Sequence, residues 1–288
     1  AVLDNANAKN NTPIPENVLE EFVLDDPASS VKFIETTSIS SVAAHNDESN
    51  EVVKQVLANK PADLPMFIHV EHFPTQFVEI HACLNSKFIK DVELLPYYLL
   101  FCDLFTMPMK LPDGSIMPYE DVVACIKKET LDSDVLIGIA GNFQDFVNAR
   151  LRAKAENYEH SVGWIKHVLQ DMVFDEKRVT VLLENFLSSI VETKRSGSSM
   201  LYSLVKEHLF EARSLSKSTD VLFVEELLKE VLEQIKAGDY KTKVFPKIET
   251  FRSDLRAHLG ESHIVVLGNV EKLGVTEIYA PWVKHFGN

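Results

Sequence analysis

Five side chains able to bind a metal ion or carry a proton lie close together in the sequence: His69, Glu71 and His72, followed by Glu79 and His81. Histidine nitrogen and glutamate oxygen are zinc ligands, so ligand count alone permits a metal site. Both segments read as strands, Met66 to His72 and Gln76 to Leu84, and side chains on a strand alternate between its two faces. His69 and Glu71 therefore share a face while His72 points to the other, and the set does not converge on one ion. These residues are expected to be half-exposed sheet positions.

A second group, Glu156, His160 and His167, falls near one face of a helix starting near Tyr158, a spacing that suits acid–base work. Val162, Ile165, Leu169 and Met172 commit that helix to a core, and no third orienting group can be named, so amphipathic surface is the expected reading. GxSxG, a phosphate-binding P-loop and GxGxxG after a strand are all absent. None of the ten histidines begins His-x-x-Glu-His or His-Glu-x-x-His, and His69-Val-Glu-His72 is one residue short and lies on a strand. No catalytic, cofactor-binding or metal-binding residue is assigned to this chain.

The elements that position these groups follow from periodicity. In the third strand candidate Val78, Ile80, Ala82 and Leu84 alternate with Phe77, Glu79, His81 and Cys83, and FPTQ at 73–76 before it suits a hairpin turn. The first strand candidate is Val31 to Ser40. A helix is expected over Asp91 to Phe105, with Val92, Leu95, Leu99 and Cys102 on one face, and another from Tyr119 to about Leu131. Asp134 to Ala140 and Phe146 to Glu156 should pair as an antiparallel hairpin through GNFQD, the second setting Val147, Ala149, Leu151, Ala153 and Ala155 against Asn148, Arg150, Arg152 and Lys154. Helices then fill Tyr158 to about His258, broken by SGSS at 196–199, and Ser262 to Asn269 reads as a closing strand. The fold class is α+β, a mainly antiparallel sheet covered on one face by helices.

The 288 residues are 45% hydrophobic and 25% charged, enough for a sizeable core. A net charge of −14 repels a phosphate backbone, which speaks against nucleic acid. No apolar run approaches the roughly 18 residues that cross a bilayer, so no membrane partner is expected. Cys83, Cys102 and Cys125 are odd in number and sit in apolar segments, as reduced thiols do. The polar opening AVLDNANAKNNTPIPENV reads as a chain cut from something longer, with a processed terminus as the alternative.

Four stretches, taken in order, carry a resemblance: NTPIPENVLEEFVLDDPASSVKFIET; LPMFIHVEHFPTQFVEIHACLN with LLPYYLLFCDLFTMPMK and LPDGSIMPYEDVVACIKKETL; RAKAENYEHSVGWIKHVLQDMVFDEKRVTVLLENFLSSI; and HIVVLGNVEKL. Together they resemble the third structural domain, with its leading linker, of the presequence-protease branch of the pitrilysin-type (inverzincin) zinc metallopeptidases. The resemblance implies a clamshell of four related α+β domains, like the half-domains of mitochondrial processing peptidase, whose first domain carries the zinc motif that this chain lacks. It implies residues 1–28 as linker, 29–270 as a non-catalytic α+β domain and 271–288 as a tail or inter-domain linker. It further implies chamber wall and inter-domain contacts as the role, and zinc in the parent protein but no cofactor in this chain. The implied partners are the parent's remaining domains and its peptide substrate, and the implied setting is intracellular, in the cytoplasm or mitochondrial matrix. A stand-alone interaction or scaffold module of the same family is the alternative. The apolar tail residues Ile278, Tyr279, Trp282 and Phe286 are expected to be left exposed for neighbouring domains.

Overall fold

The computed structural model describes residues 34–42, 46–47, 49–62 and 64–287; the expected linker at 1–28 and the start of the first strand candidate lie outside them. The chain divides into two units, and the strands and helices of the described residues belong to the second, Thr36–Asn288. The strands are β1 (Thr37–Ser40), β2 (Phe67–His72), β3 (Phe77–Asn85), β4 (Met109–Lys110), β5 (Ile116–Met117), β6 (Asp132–Ile139), β7 (Asn142–Lys154) and β8 (His263–Gly268). β4 and β5 form a small separate ribbon, and the other six make one sheet in the order β1-β2-β8-β3-β7-β6. All its pairings are antiparallel except β2 with β8. The α+β class and the mainly antiparallel sheet are therefore as expected.

The turn at 73–76 does not close a hairpin. β8 lies between β2 and β3, and the Phe73 N–H donates to the Gly268 carbonyl at 3.2 Å. A parallel pair needs a long crossover, and everything between β2 and β8 supplies it. With Ile264 and Val266 fully buried, the most apolar short strand takes the centre rather than the closing edge.

The β6–β7 hairpin forms as expected, with a tighter turn than GNFQD. Ile139 already pairs with Asn142, so only Ala140 and Gly141 make the turn, at φ 49° and 80°. Two left-handed residues match the right-handed twist of a hairpin. A bulge falls at Gly138, where an added Cβ would lie 1.9 Å from the Asn142 carbonyl oxygen, so only glycine fits. Along β7 the predicted alternation holds: Val147, Ala149, Leu151 and Ala153 are fully buried on the helix-covered face.

Among the described residues the helices of eight residues or more, up to the last strand, are α1 (Glu51–Ala58), α2 (Tyr119–Glu129), α3 (Tyr158–Gln170), α4 (Glu176–Arg195), α5 (Gly197–Leu209), α6 (Val221–Lys236) and α7 (Phe245–Ala257). Helix α1 was not anticipated, although Asn50 caps it through Oδ1 to the Val52 N–H at 2.9 Å and Val53 and Val56 enter the core. The helix expected over Asp91 to Phe105 is instead three short turns, Val92–Tyr97, Tyr98–Phe101 and Leu104–Thr106. Pro96 lacks an N–H and stops a continuous α-helix there. Leu95, Leu100 and Phe101 are buried while Val92 is exposed. The break at SGSS is real: Ser196 ends α4 and caps α5, accepting from the Ser199 N–H at 3.3 Å.

The expectation of an exposed apolar tail is overturned. Residues 270–286 fold back as the turn Val270–Leu273 and a last helix, α8 (Ala280–Phe286), which packs on α3. Ile278, Tyr279, Trp282 and Phe286 are all buried. The Trp282 indole N–H donates to the Tyr158 hydroxyl at 2.7 Å, and that hydroxyl donates to the Ile278 carbonyl at 2.9 Å. A buried indole needs such a partner, and Tyr158 is positioned to serve both. Truncating a fully buried tryptophan leaves a cavity and an unpartnered hydroxyl, so Trp282→Ala should cost about 3–5 kcal/mol. Urea denaturation measures it, and a loss below about 1 kcal/mol would make the tail peripheral to this core.

Candidate functional site

The sheet's register aligns three rows of side chains on the face opposite the helix-covered one. The first runs His69, Val265, His81, Arg150 and Asp134 across β2, β8, β3, β7 and β6. The second runs Glu71, Leu267, Glu79, Arg152 and Asp132, and the third Phe67, His263, Cys83, Asn148 and Leu136. This face brings together four of the five residues that the sequence pointed to. His72 points to the other side, as expected, where its Nδ1 accepts the Val270 N–H at 3.1 Å.

The four form two separate pairs. His69 Nε2 lies 2.7 Å from Glu71 Oε1, which also accepts from the Ser38 hydroxyl at 2.7 Å. Glu79 lies 3.2 Å from His81 Nε2 and 3.3 Å from Arg152 Nε, while Arg150 bridges to Asp132 and to Asp134 at 3.7 Å. His69 and His81 flank Val265 from neighbouring strands, and each is engaged by its own glutamate, His69 by Glu71 and His81 by Glu79. Among the described residues no three His, Cys, Asp or Glu side chains are grouped to hold a metal.

His81 anchors the centre of the face. Asn148 Nδ2 donates both to the Gly138 carbonyl at 2.9 Å and to His81 Nδ1 at 2.9 Å. The carbonyl can only accept, which fixes the amide's orientation and makes Nδ1 an acceptor. The ring proton is then on Nε2, facing Glu79. Burial pushes the His81 pKa below its ordinary 6.5, while Glu79 works in the opposite direction. Protonating Nδ1 requires the amide to turn over and give up the Gly138 carbonyl. Neither this chain of contacts nor Arg150, Arg152, Asp132 and Asp134 was singled out from sequence. The β7 alternation puts Asn148, Arg150 and Arg152 on one face, but their cross-strand neighbours follow only from the register.

The third row ends in an apolar hollow of about 350 Å³ lined by Phe67, Cys83, Phe146, His263 and Val265, with His69 at its rim. The His263 ring meets Phe67 and Phe146 edge-on at 5.2 and 5.7 Å between centroids. Phe143, at φ 56°, stands largely exposed beside it on the overhanging hairpin. The hollow can take an apolar side chain, with histidine nitrogens to orient a polar neighbour.

The second sequence group splits: His160 and His167 line one hollow of about 370 Å³ together with Glu129 and His285, and Glu156 lies apart from it. Glu156 sits in the turn before α3 and pairs with Lys154 at 3.6 Å. His160 lies 3.7 Å from Glu129, and His167 Nδ1 lies 2.6 Å from Asp171 Oδ2. No shared acid–base unit results.

No family model matches the chain. It is 45% identical over 287 residues to an uncharacterized protein of Saccharomyces cerevisiae, covering 97% of this chain and 28% of that protein. An uncharacterized protein of Schizosaccharomyces pombe is 24% identical over 281 residues, 94% of this chain and 26% of its own length. One of Caenorhabditis elegans is 26% identical over 207 residues, 71% and 20%. The chain thus spans about a quarter of the curated relatives it matches. Among solved structures, a protease from Helicobacter pylori superposes with a TM-score of 0.52 at 12% identity, over 89% of this chain and 51% of that one. The shared fold therefore corresponds to about half of the Helicobacter pylori protease chain.

Because native His81 holds fewer protons than the unfolded chain, its contribution to stability is complete above about pH 6.5 and lost as pH falls through the native midpoint. His81→Gln should flatten the fall in stability below about pH 6.5, and the His81 ring resonance should titrate below 6.5. A titration at or above that value refutes the contact chain.

Proposed function

We propose that this chain is a non-catalytic domain of a peptide-degrading zinc metallopeptidase of the pitrilysin type, presequence-protease branch, forming part of the chamber wall and its inter-domain contacts. The observation that carries the reading is the fold held in common with half of a protease chain. The partly exposed sheet face supports it, since rows of paired charges beside an apolar hollow suit an extended peptide with an apolar side chain. The metal and the glutamate that polarises water belong, on this reading, to another domain of a longer polypeptide, and an intracellular setting suits the thiols. Burial pushes Cys83 and Cys102 up to about 12, so both stay protonated and inert at neutral pH.

The 288-residue chain should cleave no unstructured peptide, even with added zinc, whereas the long polypeptide encoded by its gene should cleave such peptides and stop when a chelator is added. Chelator-sensitive cleavage by the short chain, or none by the long one, sinks the reading. Purified and dialysed, the short chain should hold far less than one zinc per molecule by elemental analysis; one tightly held ion, lost in His69→Ala, would return the metal to this sheet.

A further inference from the structure

Helix α5 is built inside out. Leu201, Leu204, Val205 and Leu209 recur at the three- and four-residue spacing that places them along one stripe, with Tyr202 beside it. On a surface helix such a stripe ordinarily faces the core. Here Leu201 is 63%, Tyr202 70%, Leu204 47%, Val205 38% and Leu209 75% exposed. The inward face is polar instead. Ser203 is the one fully buried residue of the helix, and Lys206 reaches inward to Asp220, Nζ to Oδ2 at 2.8 Å, with the Asp220 side chain only 6% exposed. Rolling the helix over to hide its leucines would strand that buried carboxylate without its cation, so the outward stripe is held in place. Val191 near the end of α4 and Phe223 at the start of α6 are exposed too, and the Lys194–Glu225 ion pair ties those two helix ends together.

From their exposed fractions the five together expose about 600 Å², at the upper end of the apolar patches a monomer ordinarily shows. Covered by a partner of equal size, it would bury about 1,200 Å² in total, within the range of roughly 600–1,500 Å² for contacts between domains of one chain. The same figure is at the floor of what freely associating partners use, about 1,200–2,000 Å². A tether supplies effective concentration that a second copy lacks, so the area favours an occupant in the same polypeptide. The relatives supply the length: the matched region is 28% of the S. cerevisiae protein and 26% of the S. pombe one.

We propose that the outer stripe of α5 is an inter-domain surface, covered by an apolar face of another folded domain of the same long polypeptide. This rests on the previous reading only in taking the chain as one domain among several, not on peptide hydrolysis. The test is thiol labelling of Leu209→Cys, made both in the 288-residue chain and in the full polypeptide that its gene encodes. Labelling should be fast in the short chain and at least tenfold slower in the long one, and adding Leu201→Glu to the long one should restore the fast rate. The melting temperature of the short chain should not move with either substitution, because both side chains are exposed. Equal rates in the two lengths overturn the proposal, as does a gene encoding nothing beyond these residues. Slow labelling of the short chain that becomes fast on dilution also overturns it, and names a second copy as the occupant. Peptidase activity plays no part in the readout, so the two readings can fail separately.

Discussion

The last strand in the sequence is a central strand of the sheet, and the rest of the domain depends on that placement. Without β8, β1 and β2 would form one ribbon and β3, β7 and β6 another, each with an unpaired edge. Val265, Leu267 and His263 join the β2 member of each row to its β3 member, so the partly exposed face is not complete until residues nearly 200 positions apart have met. Such non-local pairing must close a long loop before it is rewarded, and it makes assembly of this sheet slow relative to its helices. The turn after β8 then lets the C-terminal residues return to α3, where Trp282 and Tyr158 fasten the last helix to a helix that packs on β7.

The two faces of the sheet solve different problems. One is filled by aliphatic side chains and covered by helices, which supplies the core. The other balances its charges within the plane: Glu79 lies among His81, Arg150 and Arg152, and Arg150 lies among Glu79, Asp132 and Asp134. Groups already paired to one another are poor candidates for converging on an ion. They are well suited to present fixed dipoles and a flat polar surface next to an apolar hollow.

Much of the fold was legible from period alone. The alternations in Gln76 to Leu84 and Phe146 to Glu156 were strong because each strand has one buried and one partly exposed face, and the helices from Tyr158 onward kept their apolar spacing. What failed was adjacency. FPTQ looked like a hairpin because a short link usually joins neighbours, and nothing local in Ser262 to Asn269 shows that it will slip between the two strands. Pro96 was in plain sight, yet the apolar spacing around it outweighed the missing N–H. The tail was misread because Ile278, Tyr279, Trp282 and Phe286 carry no sign of where their partner Tyr158 lies, 120 and more positions earlier. At the candidate site the residue types were visible but the rows were not, because rows are a property of register.

The charge balance of the partly exposed sheet face has a consequence at longer range. Glu71, Glu79, Asp132 and Asp134 are set against Arg150, Arg152 and Lys154, so this face is close to neutral while the whole chain carries −14. The excess is carried by other residues, among them Glu225, Glu226, Glu230 and Glu233 along α6. An anionic molecule drifting toward the domain is turned away by such surfaces and meets no comparable barrier over the sheet. At physiological salt that field fades within about 8 Å, so it sorts approaching molecules only in the last steps before contact.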